Sequence, residues 1–215
     1  PDNECAAMIS ATCGSTGVCN GYGSCQLYPM GTVCSAPACV NDTTSDQQDT
    51  CNGTGTCVAG GVQSCLPYGC NAATGICRNS CANDQDCAGG YYCTASICVP
   101  MKAPGTACFS GYECLSGSCV DGVCCNSSCN GPCIACSTAK TGGPNGTCAP
   151  VIAGSDPDNE CAQQSPTTCG TSGVCNGAGA CSVYPAGAVC APAGCLDSTT
   201  LDLADTCDGN GNCVQ

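Results

Sequence analysis

Apolar side chains along this 215-residue chain are not spaced as they are in an amphipathic helix. No stretch keeps hydrophobic residues at a 3.6-residue period, and glycine or proline interrupts almost every run of ten. Short strands joined by tight turns fit this pattern better. We therefore expect a loop-rich chain with short β-hairpins and almost no helix.

One short phrase, Cys-[Asn/Asp]-Gly-x-Gly-x-Cys, predicts where several hairpins lie. It occurs at 19–25, 51–57, 175–181 and 207–213. Asn-Gly or Asp-Gly supplies the pair of positive φ angles that a type I′ turn requires. Each copy is predicted to be a small hairpin with a cysteine at either end.

The chain contains a long internal repeat. Residues 1–58 align with 157–214 without a gap, 32 of the 58 positions are identical, and all eight cysteines coincide. A fixed period is the signature of a repeat architecture. We expect the 215 residues to be a window on a longer array.

The repeat divides the chain into three blocks. Block A covers 1–58, a middle block covers 59–156, and the second copy of block A covers 157–215. Segments rich in glycine and proline mark the seams at 58–61, 99–105 and 149–158.

Thirty-two cysteines decide the structural class. This density is typical of a disulfide scaffold, and such scaffolds persist in oxidising surroundings, so we expect an extracellular or cell-surface location. The expected fold class is therefore a tandem of small disulfide-rich modules with an elongated form. Each block has an even number of cysteines, which favours bonds closed mostly within the block. The block A cysteines expected to be bonded are Cys5, Cys13, Cys19, Cys25, Cys34, Cys39, Cys51, Cys57, Cys161, Cys169, Cys175, Cys181, Cys190, Cys195, Cys207 and Cys213.

Charge and composition argue against several functions. The net charge is −13 with three basic residues, which disfavours nucleic acid and anionic membranes as partners. No apolar run approaches the ~20 residues of a membrane helix, so no membrane insertion is expected. The chain has no histidine, which removes the common catalytic triads and many zinc sites. We expect a protein that is not an enzyme and requires no cofactor.

The run "CGSTGVCNGYGSC" at 13–25, preceded by "NEC", resembles the first half of an epidermal-growth-factor-like module. In that family the first cysteine pairs with the third and the second with the fourth. The resemblance implies four bonds: Cys5–Cys19, Cys13–Cys25, Cys161–Cys175 and Cys169–Cys181.

The middle block carries two further resemblances. Residues 81–125, ending in "DGVCC", are similar to the cysteine-rich region of dickkopf-type proteins. Residues 124–156 resemble a repeat of long secreted cysteine-rich proteins of myxobacteria and related deltaproteobacteria. Such arrays serve as spacers, adhesin stalks and surface structures.

Two kinds of polar site are candidates. The carboxylates before the first cysteine of each block A copy approach the opening of calcium-binding growth-factor-like modules, which makes Ca²⁺ an alternative to solvated turns; they are Asp2, Glu4, Asp156, Asp158 and Glu160. Four Asn-x-Ser/Thr triplets are candidate sites for covalent glycans; they begin at Asn41, Asn52, Asn126 and Asn145. The lone Cys-x-x-Cys, at 133–136, is a weaker candidate for a zinc or redox site.

We expect a structural extracellular protein whose disulfide-stapled repeats form or contribute to a surface filament or stalk through self-association. The alternative is an adhesin or ligand-binding module, in which a loop such as "GGYY" at 89–92 contacts a partner. A cysteine-rich inhibitor is a more distant alternative.

Overall fold

The computed structural model describes residues 4–215. Contacts divide the chain into two compact units, residues 1–100 and 101–215. The division falls inside the middle block of the sequence repeat.

The first unit is built from short antiparallel strands. Two 3₁₀ turns, Ser10–Thr12 and Asp84–Asp86, are its only helical segments among the described residues. Its strands are β1 (Ser15–Cys19), β2 (Cys25–Leu27), β3 (Val33–Ser35), β4 (Ala38–Asn41), β5 (Thr44–Asp46), β6 (Asp49–Cys51), β7 (Cys57–Val58), β8 (Val62–Ser64), β9 (Cys70–Asn71), β10 (Ile76–Cys77), β11 (Tyr91–Thr94) and β12 (Ile97–Pro100). They form the three-stranded sheets β3-β6-β7 and β4-β5-β8 and three two-stranded pairs.

The second unit has the same character. It contains one short α-helix, α1 (Thr138–Thr141), and 3₁₀ turns at Gly111–Glu113 and Pro166–Thr168. Its strands are β13 (Cys119–Val120), β14 (Val123–Cys124), β15 (Ile134–Ala135), β16 (Ala149–Pro150), β17 (Thr171–Cys175), β18 (Cys181–Val183), β19 (Val189–Ala191), β20 (Gly194–Cys195), β21 (Leu201–Asp202), β22 (Asp205–Cys207) and β23 (Cys213–Val214). The predicted fold class of loop-rich, disulfide-rich small modules with short hairpins and almost no helix is confirmed.

All four predicted cysteine-ended hairpins form. Cys19 faces Cys25, and the other three phrases pair in the same antiparallel register: Cys51 with Cys57, Cys175 with Cys181 and Cys207 with Cys213. The predicted type I′ turn is wrong, because only the glycines of each phrase have positive φ, as at Gly21 (82°) and Gly23 (81°). The Asn or Asp instead closes a wider loop: its backbone N–H donates to the carbonyl four residues on, and its side-chain oxygen accepts from two backbone N–H groups.

Sulfur takes the place of an ordinary hydrophobic core. Seventeen of the 21 buried apolar residues described are cysteines; the others are Ala88, Tyr92, Ala135 and Val151. Adjoining disulfides pack on one another, as Cys108–Cys119 does on Cys114–Cys124. The elements are too short to bury a large apolar face, so covalent bonds fix their positions.

The two copies of block A keep the same local structure. Cys13 and Cys169 end equivalent 3₁₀ turns with φ of 53° and 52°. The Tyr28 hydroxyl donates to the Met8 carbonyl at 2.8 Å, and Tyr184 donates to Gln164 at 2.7 Å. The copies therefore serve as internal comparisons for one another.

Candidate functional site: the faces around two unpaired thiols

Thirty of the 32 cysteines form fifteen disulfides, and all 32 lie within residues 4–215. Cys19 and Cys195 are unpaired and exposed, so the prediction that every block A cysteine is bonded is wrong at these two positions. The other fourteen are bonded. Two of the fifteen disulfides cross the block boundaries, Cys39–Cys70 and Cys133–Cys175, and the remaining thirteen close within a block, as predicted for most.

The repeat identifies the equivalents of these two thiols in the other copy. Cys19 is the equivalent of Cys175, and Cys195 is the equivalent of Cys39. Both equivalents use a partner in the middle block, Cys133 at a separation of 42 residues and Cys70 at 31.

The pairing implied by the growth-factor resemblance is wrong in both copies. Block A contains Cys5–Cys25 and Cys13–Cys51, and the second copy contains Cys161–Cys181 and Cys169–Cys207. The first hairpin brings both Cys19 and Cys25 to Cys5, but Cys25 makes the bond and the Cys19 Sγ remains 3.6 Å from the Cys5 Sγ. Cys13 instead bonds to Cys51 at the end of β6.

In the second copy, the hairpin of β17 and β18 is covered by the end of the middle block. Cys175 is fully buried in a cluster with Cys133, Ala135, Val151 and Cys161. Its backbone accepts from Gly154 at 2.9 Å and donates to Ser155 at 2.8 Å. A methyl group at Gly177 would lie 3.0 Å from the Ala153 Cβ.

In block A, the equivalent face is uncovered by any described residue. Val18 is 55% exposed and Tyr22 93% exposed, and a methyl group at Gly21 or Gly23 would meet no atom within 4 Å. The Cys19 face, defined as residues 17–23 with Glu4, therefore carries an accessible thiol on a surface that its copy buries.

The second unpaired thiol also lies on a face that is covered in the other copy. In block A, β8 adds to β5 as the third strand of its sheet, and Ser45 of β5 is 3% exposed, with its hydroxyl donating to the Gly75 carbonyl. In the second copy, β20 and β21 form a two-stranded sheet, and Leu201, the equivalent of Ser45, is 63% exposed. Cys195, on β20, is paired with Leu201 of β21.

The predicted calcium ligands in the second copy have partners within the chain. Asp156 accepts from the backbone of Glu160 at 3.0 Å and of Cys161 at 2.9 Å. Glu160 accepts from the Cys133 N–H at 2.6 Å, and Asp158 pairs with Lys140 Nζ at 2.5 Å. In block A, Glu4 is exposed and Asp2 lies outside the described residues. These contacts favour a structural role, and calcium binding stays a prediction.

The four candidate glycosylation residues lie in loops or at loop edges, where their side chains accept hydrogen bonds. Asn41 accepts from Thr43, Asn52 from Thr54, Asn126 from Cys148 and Asn145 from Thr138. Asn41, Asn126 and Asn145 are exposed, whereas Asn52 is half-buried. Glycosylation stays a prediction at all four.

The Cys133-x-x-Cys136 pair is no free dithiol, because Cys133 bonds to Cys175 and Cys136 to Cys125. Elsewhere, groups of three sulfurs lie within 4.8 Å, as at Cys108, Cys114 and Cys124, and this group comes from two adjoining disulfides. Disulfide sulfurs lack the thiolate that binds a metal.

One surface depression has a volume of about 280 Å³ and is lined by residues that include Asn71, Thr74 and Arg78. Arg78 also forms an ion pair with Asp86 at 3.1 Å. None of the helices found in residues 4–215 has the length and apolar character needed to cross a membrane.

Sequence reasoning missed Cys70 and Cys133 as partners across the blocks. The even number of cysteines in the middle block gave no sign of these two bonds, because the block bonds one cysteine to each copy and still forms seven disulfides of its own.

Comparison of the chain with protein-family models, characterised proteins and solved structures found no match.

Proposed function

We propose that this chain is a structural extracellular protein, a tandem array of disulfide-stapled modules that forms or contributes to a surface filament or stalk. The observation that carries the proposal is the pair of disulfides across the block boundaries, Cys39–Cys70 and Cys133–Cys175. Consecutive blocks are joined by a side-chain bond as well as by the backbone.

This arrangement suits a molecule that must keep its form outside the cell. Each of the fifteen disulfides shortens the segment of chain that can be extended or reached by a protease. A tandem array in which neighbours are bonded covalently also carries tension from one module to the next. The extensive disulfide bonding is compatible with an extracellular location.

Two measurements test the proposal. A compact 215-residue globule has a radius of gyration of about 17 Å, from roughly 2.2·N^0.38 Å. Small-angle scattering is expected to give a value well above this, because contacts in a repeat array run between sequence neighbours. Negative-stain microscopy of native material is expected to show filaments or stalks. Compact, discrete particles in both measurements would contradict the proposal.

An adhesin or ligand-binding module is the second candidate, and a specific surface favours it. Phe109 is 98% exposed, and Tyr112 and Leu115 on the same small module are 53% and 60% exposed. In contrast, Tyr92 of the "GGYY" loop is buried. Exposed apolar clusters mark interaction sites. Loss of cell or matrix adhesion in Phe109→Ser, with Ile97→Ser as the matched control, would support this candidate.

A further inference from the structure

We propose that the Cys19 face is a covalent docking site for a module of the same kind as residues 129–155. The inference rests on the tandem array of the proposed function. Its observations are the free, exposed thiol of Cys19 and the bond that the equivalent Cys175 makes to Cys133.

The groups that receive the middle block in the second copy are present in block A. Residues 17–21 have the same sequence, Gly-Val-Cys-Asn-Gly, as residues 173–177. Gly17 and Gly173 have the same φ of 86°, and both hairpins keep the same register. The backbone that accepts from Gly154 and donates to Ser155 in the second copy therefore has its counterpart at Cys19.

Glu4 supplies a second recognition group. Its equivalent, Glu160, accepts a hydrogen bond from the backbone N–H of Cys133 at 2.6 Å, next to the Cys133–Cys175 bond. Glu4 is exposed. A docked module would bring the N–H of its own Cys133 equivalent to this carboxylate while its sulfur meets Cys19.

The face is also shaped for a close neighbour. Gly177 and Gly179 lie against Ala153 and Ile134, with ideal Cβ positions 3.0 and 3.4 Å from their side chains. Gly21 and Gly23 hold the same backbone conformation, and a Cβ at either position would meet no atom within 4 Å. The glycine surface that accommodates the module is thus open at the first hairpin.

The bond forms by an oxidation with defined reactants. The Cys19 and incoming cysteine thiols each lose one proton, and together they lose two electrons as the S–S bond forms. A disulfide oxidant, such as oxidised glutathione or a protein disulfide, accepts the electrons and is reduced to two thiols.

The test uses the full chain preceded by an additional copy of residues 1–156, so that the new junction repeats the Asp156–Pro157 junction. Both this extended chain and the 215-residue chain are folded in glutathione buffer and alkylated without reduction. The 215-residue chain is expected to take two alkyl groups, on Cys19 and Cys195. The extended chain is also expected to take two, because the added Cys133 bonds to the original Cys19.

Four alkyl groups on the extended chain would overturn the proposal, since the added Cys133 and the original Cys19 would both be free. A matched control carries Cys133→Ser in the added copy only and is expected to take three. Peptide mapping identifies the new bond, because the peptide around Cys19 contains Tyr22 where that around Cys175 has Ala178. The bonds shared with the 215-residue chain report correct folding.

Two further outcomes contradict the proposal without the extended chain. If Cys19 resists alkylation in the native 215-residue chain, its face is not accessible. If Cys19 bonds to Cys5 and releases Cys25, the thiol belongs to an exchange within block A.

Non-reducing electrophoresis distinguishes the two sources of the docked module. A bond within one polypeptide leaves a monomer, whereas a bond to a second molecule produces a dimer. A Cys19–Cys19 dimer would overturn the proposal. These readouts do not depend on whether filaments form.

Discussion

At the residue scale, Lys140 joins three segments of the second unit. Its ammonium lies 2.5 Å from Asp121 and 2.5 Å from Asp158. Burial raises the pKa of Asp121, but the Cys136 N–H at 2.6 Å and the Lys140 ammonium more than offset this and hold the pKa below its usual range. A carboxylate that is 9% exposed thus remains ionised because its donors are fixed.

Replacing Lys140 is expected to destabilise the second unit. Lys140→Met removes a charged donor from Asp121 and leaves two backbone N–H donors, at Cys136 and Ser137. We expect a loss of about 1–3 kcal/mol in the free energy of unfolding, measured by guanidinium titration with the disulfides intact. The matched control is Arg78→Met, whose ion pair is more exposed and should contribute less than about 1 kcal/mol. Equal effects would show that Asp121 does not depend on Lys140.

At single residues, some predictions from the sequence are correct and others are wrong. It predicted that every block A cysteine is bonded, because each block has an even number of cysteines, and fourteen of the sixteen are bonded. It failed at Cys19 and Cys195, whose equivalents in the other copy bond to cysteines of the middle block. It also assigned Asp158 and Glu160 to a candidate calcium site, because a carboxylate-rich turn has the same sequence whether its oxygens coordinate a metal or accept hydrogen bonds from Lys140 and the Cys133 N–H.

At the element scale, the last hairpin of each block A copy has the same loop, closed by a different residue in each copy. Asn52 closes the first copy and Asp208 closes the second. Hydrogen bonds to Asp208, first from the Asn212 side chain and then from the Asn210 and Asn212 backbones, lower its pKa from 3.8 to about 2. The ionised carboxylate of Asp208 accepts the backbone hydrogen bonds that the amide oxygen of Asn52 accepts in the first copy, and protonation weakens it as an acceptor.

The hairpin 207–213 is therefore expected to loosen in acid. The folded-state pKa of Asp208 lies below its unfolded value, so its contribution is complete above about pH 4 and is lost as the pH falls through 2. Amide hydrogen exchange at Asn210 and Asn212, corrected for the intrinsic rate, should accelerate over this range relative to Thr54 and Thr56 in the first copy. Asp208→Asn should abolish the difference. An acid response that survives this substitution would assign it to another carboxylate.

The hairpins themselves were predictable because a short repeated phrase fixes two facing cysteines around a glycine loop. The turn type was not, because the Asn or Asp side chain closes a loop wider than the Asn-Gly pair alone indicates. The connectivity was not predictable either. Cys5 lies near both Cys19 and Cys25, and spacing alone does not choose between sulfurs at such close range.

At the scale of the whole molecule, disulfides replace the apolar core. Only four buried apolar residues among those described are not cysteines. Reduction at ambient temperature is therefore expected to unfold the protein, because the reduced chain buries too little apolar surface to offset its conformational entropy. Circular dichroism and protease resistance, with and without reductant, measure this. A reduced chain that retains both would show that non-covalent packing suffices.

Disulfides join consecutive blocks to one another, and peptide mapping of the oxidised 215-residue chain can identify these bonds. Digestion without reduction, followed by mass spectrometry, should yield peptides linking Cys39 to Cys70 and Cys133 to Cys175, with Cys19 and Cys195 alkylated. If instead Cys39 and Cys175 are bonded within their own block A copies, and Cys70 and Cys133 within the middle block, the blocks are separate and the account is contradicted.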